Sequence, residues 1–348
     1  MEPKFKSLMQ IGILVENLEE AVKNYEAMGI SGWDISALDN TVPPFEDLKF
    51  DGKEIPEKGQ FGHDGQFGHE MVGIVHEVGE DVKDINVGDR VFVNPAVAKR
   101  NGMMGCDIAG AFSEYMVVED AKYGYNLFRL SDDTTFDEAV VIEPLAVATH
   151  AKNRIDVKAS DNVLIFGAGT IGLCALNAVL ASGCRNPIVV DMNEKRLEMV
   201  EKMGGIGYCP ARDGEILPFL KSKLGAVYTQ FGQERANIDA YIDCAGAAPI
   251  LPEIMGMAKE HSRVVIVAVY KKPAELNAAN LLSAEITVKG SCGYEHSDIV
   301  EAFNNIDTHR TKTPEIVTHH FKHEDAEKAF EFAADPAAGG IKIVIDYE

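Results

Sequence analysis

The 348-residue sequence predicts an α/β protein in which a doubly wound parallel sheet is joined to a smaller barrel-like β domain, with a short βαβ segment ahead of both. Two observations predict the sheet. From Asn162 onward apolar strands alternate with helical segments, and a glycine-rich turn, Gly167-Ala168-Gly169-Thr170-Ile171-Gly172, sits where one such strand gives way to a helix. The β domain follows from a third: between Met71 and Leu130 the chain consists of short apolar strands separated by glycine turns.

Residues 9–15 (MQIGILV) are apolar and branched, which predicts a strand, and Asn17 is suited to cap a helix carrying Leu18, Ala21, Val22, Tyr25 and Met28 at helical spacing. Gly29 and Gly32 close that helix, and residues 32–38 alternate like a half-buried strand. Residues 43–65 break into turn formers and end in a doublet, GQFGHD at 59–64 followed by GQFGHE at 65–70, which has the character of a seam. Strands are then predicted over 72–79, 88–93 and 110–118, with helix after Thr135. The alternating region predicts strands at 163–166, 188–191, 240–243 and 264–269 and helices from Thr170 and over 194–203; the tail predicts helices around 299–305 and 324–333 and a closing strand at 342–346.

Composition narrows the function. Lys+Arg 33 against Asp+Glu 55 leaves a formal charge of −22, which repels phosphate backbones and anionic bilayers, so neither nucleic acid nor membrane is an expected partner. The start MEPKFKSLMQ lacks the pattern of a secretory signal, so a cytoplasmic protein is expected. Residues 162–184 carry no charge over a bilayer-spanning length, yet their glycines and the following Asp191 favour a buried strand, a turn and a buried helix. The six cysteines are widely spaced with no C-x-x-C pair, and reduced, buried thiols are expected.

In the G-x-G-x-x-G turn, Gly167 permits the tight bend, Gly169 lets backbone approach a pyrophosphate, and Gly172 lets helix and strand pack closely; N–H groups at Thr170 and Ile171 then face the phosphates. Asp191 ends the next strand, where a carboxylate accepts hydrogen bonds from the adenosine ribose and repels a 2′-phosphate, favouring NAD over NADP. A purely structural glycine turn with a strand-end aspartate is the competing explanation. His69 and Glu70, adjacent before a strand, and Glu143, before an apolar helix, are the candidate metal ligands; imidazole and carboxylates suit Zn²⁺. A strand end or capped turn would equally place a lone His-Glu pair there. His63-Asp64 repeats the context as a second ligand set or a solvated loop, and the remaining histidines lack ligand spacing.

From about Gly65 onward these residues resemble a family. Gly68-His69-Glu70, Gly73, Val78-Gly79, Val87-Gly88-Asp89-Arg90-Val91, Gly110-Ala111-Phe112-Ser113-Glu114-Tyr115, Ile142-Glu143-Pro144-Leu145-Ala146-Val147 and Gly167–Gly172 with Asp191 are similar to the zinc-dependent medium-chain dehydrogenase/reductases, in particular the polyol branch with sorbitol, butanediol and threonine dehydrogenases. The resemblance implies a GroES-like catalytic domain over 60–152 and 295–348, a Rossmann domain over 153–294, NAD and Zn²⁺ as cofactors, a secondary alcohol or polyol as substrate, and homo-oligomers formed by edge-strand pairing. It further implies zinc ligation by His69 and Glu70, catalytic roles for Glu70 and Glu143, with Glu143 approaching the metal directly or through water, and an Arg196 near the adenosine end. Two departures stand out. The family's ligand cysteine in an upstream C-G-[ST]-D segment has no counterpart, since no cysteine precedes Cys106, and residues 94–105 replace the four-cysteine structural zinc lobe. Residues 1–59 are instead similar to a truncated vicinal oxygen chelate module, with Gln10 where a ligand would sit, which implies a GroES-like unit lacking its first β segment. The missing cysteine leaves two readings: a zinc-assisted dehydrogenase, or a catalytically impaired protein that binds NAD.

Overall fold

Six parallel strands form the central sheet, in the spatial order Thr287–Gly290, Arg263–Ile266, Ala240–Asp243, Val163–Phe166, Ile188–Val190, Ile206–Tyr208. The order reverses between Ala240–Asp243 and Val163–Phe166, which places a crevice at the carboxyl ends of those two strands, the position where doubly wound folds bind ligands. The computed structural model describes residues 49–50, 53–54, 68–106, 110–335 and 338–347. The strand, helix and strand expected over 9–38, Gln10, and His63-Asp64 of the doublet lie outside the described residues; the short strands Lys49–Phe50 and Lys53–Glu54 pair antiparallel.

The central strands are buried along their whole length, which explains their unbroken branched sequence. Successive side chains serve opposite cores. Val163, Ile165, Val189 and Ile242 join one cluster with Leu173 and Leu176 of the helix Thr170–Ala181 and with Leu145 of the helix Ile142–Arg154. Leu164, Phe166, Ile188 and Tyr241 join the other with Leu220 of the helix Ile216–Leu224 and Ile254 of the helix Ile250–Met257. The uncharged run at 162–184 is therefore strand, turn and helix, and no helix among the described residues is long and apolar enough to cross a membrane.

The β domain is built on an antiparallel sheet of Val72–Ile74, Arg90–Val93 and Leu127–Arg129 over a core of Met71, Ile85, Val91, Val93, Met104 and Leu127. The strand expected over 110–118 does not form among the described residues: Met116 and Val118 pack against the β-domain core while Tyr115 and Val117 stay exposed, as the alternation requires, but the Ser113 N–H turns back onto the Ala111 carbonyl at 2.8 Å and the segment pairs with no strand. In the tail, Val317–Lys322 pairs in parallel with Lys342–Asp346, and the helix His296–Asp307 packs on Ile142–Arg154. Of the cysteines, Cys174, Cys184 and Cys209 are buried as expected, Cys106 and Cys244 are half-buried, and Cys292 is exposed in the turn after the edge strand, where no layer covers it.

Candidate metal and nucleotide site

At the carboxyl end of Val163–Phe166, Gly167 adopts φ +97°, and a Cβ there would stand 3.2 Å from the Ala245 Cβ. Gly172 is more constrained still: its Cβ would fall 1.9 Å from the Gly167 carbonyl oxygen. Gly169 differs from both. It is the N-cap of Thr170–Ala181, no side chain caps that helix, and a Cβ on Gly169 would meet nothing within 4 Å. The helix thus opens on free space at its positive end, a cradle that fits a pyrophosphate.

Asp191 reaches back to the loop, its Oδ2 accepting the Ala168 N–H at 2.6 Å and its Oδ1 the Asn193 N–H at 2.8 Å. The carboxylate therefore shapes the turn and keeps one further lone pair on each oxygen for a ribose hydroxyl. The Thr170 hydroxyl is engaged elsewhere, donating to the Ile341 carbonyl at 2.9 Å, so Thr170 and the half-buried Ile171 offer a ligand their backbone N–H groups. Arg196, on the helix Glu194–Met203, carries a buried Nε with no hydrogen-bond partner.

His69, Glu70 and Glu143 converge, with one ligand atom from each lying within 4.8 Å of the others. His69 follows Gly68, whose φ of +82° turns the chain into the site, and Gly105 packs so closely that a Cβ on it would lie 2.1 Å from the Gly68 carbonyl oxygen. Burial lowers the His69 pKa and outweighs the raising effect of its hydrogen bond to the Gly105 backbone, so the ring stays neutral, the form that ligates metal. Its Nδ1 faces Cys106 Sγ at 3.7 Å and its Nε2 faces Glu143 Oε1 at 3.9 Å.

Glu143 occupies the first turn of Ile142–Arg154, where the helix dipole favours an anion and the N–H-less Pro144 is tolerated. It is only 4% exposed, and burial pushes its carboxyl up to about 8 despite the opposing influence of the Tyr294 hydroxyl. A buried carboxyl of this kind is stabilised by a cation. Glu70 pairs with the ammonium of Lys342, a buried amine that desolvation brings down to about 8. The donor set, one neutral imidazole and two carboxylates, fits Zn²⁺. Sequence reasoning missed Lys342 and Tyr294; the one available signal was a lone lysine opening a closing strand whose next three residues, Ile343-Val344-Ile345, are apolar.

Two family profiles match the chain: the alcohol dehydrogenase GroES-like domain over residues 20–127 and the zinc-binding dehydrogenase over residues 170–308. The first begins upstream of residue 60, inside the segment that resembles a chelate module. Among curated proteins, the chain is 30% identical over 239 residues to (R,R)-butanediol dehydrogenase of Bacillus subtilis, a match spanning 65% of each protein. It is 27% identical over 291 residues to D-xylulose reductase of Saccharomyces cerevisiae, covering 80% of each. In three dimensions it is similar to the 2R,3R-butanediol dehydrogenase of Bacillus subtilis, with a TM-score of 0.71 and 26% identity over 81% of this chain and 80% of that one.

Proposed function

Because this chain belongs to the zinc-type medium-chain alcohol and polyol dehydrogenases, we propose that it interconverts a secondary alcohol or polyol and its ketone, with NAD as hydride carrier and Zn²⁺ on His69, Glu70 and Glu143. The observation that carries this reading is a pair of adjacent residues: Ile341 accepts the hydrogen bond of Thr170 on the nucleotide loop, and Lys342 pairs with Glu70 of the ligand set. The segment Ile341-Lys342 thus touches both the loop and the ligand set, which supports reading them as parts of one site.

When bound, zinc supplies the Lewis acidity that lowers a hydroxyl's pKa and NAD supplies the hydride acceptor. The protein's share is to place them. Neutral His69 offers Nε2 to the cation, Glu70 and Glu143 supply the balancing negative charge, and the burial around Glu143 excludes water. The loop of Gly167, Gly169, Thr170, Ile171 and Gly172 holds the pyrophosphate, while Asp191 and Arg196 hold the adenosine end. In this reading residues 60–152 and 295–348 form the catalytic unit and 153–294 the nucleotide unit. The protein works in the cytoplasm as a homo-oligomer, pairing the edge strand Thr287–Gly290 near the exposed Leu282 and Val269.

Metal analysis coupled to an NAD-linked alcohol screen tests the reading: near-stoichiometric zinc and NADH formation with a polyol are expected, and metal-free protein inert across the panel refutes it. A second reading, an NAD-binding protein that does no chemistry, is favoured by one observation, that no cysteine precedes Cys106 to supply the upstream ligand. It requires that NADH raise the melting temperature while His69→Ala changes nothing else.

A further inference from the structure

Asp243 ends the strand Ala240–Asp243, fully buried, and holds the turns that follow this strand and its neighbour. Its Oδ1 accepts the Ala245 and Gly246 N–H groups at 3.0 Å each, and its main-chain carbonyl accepts those of Val267 and Ala268 at 2.9 and 3.0 Å, just past the strand Arg263–Ile266. The Tyr270 hydroxyl donates to the remaining oxygen, Oδ2, at 2.5 Å. The Tyr270 ring packs against the cluster of Leu164 and Tyr241, and burial together with the Asp243 carboxyl raises the phenol above its ordinary pKa, so it keeps the proton it donates. The turns also touch one another. Gly167 approaches Ala245, and a Cβ on Gly246 would lie 3.0 Å from that of Ala268. Outward from the glycine loop, the floor of the crevice is three turns in series, with Asp243 tied to the second and the third. A buried carboxyl is unfavourable unless its oxygens are hydrogen-bonded, and without the phenol Oδ2 would lack its donor.

We propose that Tyr270 is a positioning residue for the nicotinamide ring of NAD, acting through Asp243 to fix the turns 244–246 and 267–270 on which that ring rests. The inference rests on the NAD reading above. Within that reading the pyrophosphate sits on the glycine loop, where the strand order reverses, and the adenosine end lies on the Asp191 side. The nicotinamide end then extends the other way, over the carboxyl ends of Ala240–Asp243 and Arg263–Ile266. Hydride transfer requires reacting groups held to within about 0.5 Å of the productive geometry, which supporting hydrogen bonds around a site secure. Both turns donate to one residue, so the phenol that anchors Asp243 steadies both.

The test titrates wild type and Tyr270→Phe calorimetrically with NADH and with ADP-ribose, which lacks the nicotinamide ring but keeps the adenosine and the pyrophosphate. The substitution retains the aromatic ring and its packing. Tyr270→Phe is expected to bind NADH about 3–30-fold more weakly while its affinity for ADP-ribose stays within about twofold. Asp243→Ala removes the other end of the same bond, so the double variant should bind NADH no more weakly than Asp243→Ala alone. Equal losses on the two ligands, no loss on either, or losses that add in the double variant overturn the inference while leaving the NAD reading in place. Wild type that binds neither ligand overturns the NAD reading and this inference with it.

Discussion

Thr170 Oγ1 donates a hydrogen bond of 2.9 Å to the carbonyl of Ile341, fastening the first residue of the nucleotide-loop helix to the residue just ahead of the closing strand, whose first residue, Lys342, neutralises Glu70. Thr170→Val keeps the shape and removes the donor. A loss of about 0.5–1.5 kcal/mol in denaturant unfolding is expected, because the Ile341 carbonyl is left without that partner. Unchanged stability would show that this tie contributes nothing.

The glycines of the loop separate into packing and ligand roles. Gly172→Ala drives a Cβ to 1.9 Å from the Gly167 oxygen, so the turn must open and the melting temperature should fall steeply. Gly169→Ala meets nothing within 4 Å and keeps an ordinary φ of −74°, so the fold should survive with NADH affinity reduced about tenfold or more as the methyl enters the phosphate cradle. Calorimetric titration of both variants decides. Retained NADH affinity in Gly169→Ala would remove the loop from cofactor binding.

Metal-free protein should lose stability as pH rises from about 6.5 to 8. Burial raises the Glu143 carboxyl from 4.5 to about 8, so across this interval the folded state holds a proton that the unfolded chain has released, and the unfolding free energy falls with pH by about 1–2 kcal/mol. His69 acts in the opposite direction below its ordinary 6.5, because its depressed pKa makes the unfolded chain the better proton binder there. Above 6.5 the His69 contribution dies away, and Lys342, lowered from 10.5 to about 8, opposes the fall only toward the top of the window, so the Glu143 effect still sets the net sign. Glu143→Gln should flatten the profile, and zinc should do the same by taking the proton's place. Metal-free wild type whose melting temperature rises over this interval would contradict the assignment.

Much of the Rossmann half was legible because its signals are local. The branched runs of Val163–Phe166, Ile188–Val190 and Ala240–Asp243 can be accommodated only as buried strands, and the glycine spacing marks the turn between strand and helix. The β domain was less legible. Residues 110–118 alternate as a strand should, and Met116 and Val118 pack against the β-domain core while Tyr115 and Val117 stay exposed, but among the described residues no strand pairs with them; in the Rossmann half, the short hairpin of Ala226–Tyr228 with Glu234–Ala236 carries no apolar periodicity to announce it. At the site, the adjacency of His69 and Glu70 was readable, whereas the approach of Lys342 to Glu70 and of Tyr294 to Glu143 is created by packing of distant segments, to which no local pattern corresponds.

Asp191 carries both a structural and a selective burden. Asp191→Ser should weaken the hold on the Ala168 and Asn193 N–H groups, lower the melting temperature modestly, and shift the ratio of NAD to NADP affinity toward NADP by relieving the repulsion of a 2′-phosphate. Affinities for both nucleotides measured on the same preparation test this. An unaltered ratio would confine Asp191 to shaping the turn.

The central claim is that His69, Glu70 and Glu143 hold the zinc on which NAD-linked alcohol oxidation depends. Absorbance at the NADH band, followed with a polyol substrate before chelation, after chelation and after zinc is restored, tests it most directly. NADH formation that stops on chelation and returns with zinc in wild type, but does not return in His69→Ala, is the predicted result. Turnover indifferent to the chelator, or restored equally in His69→Ala, would contradict it.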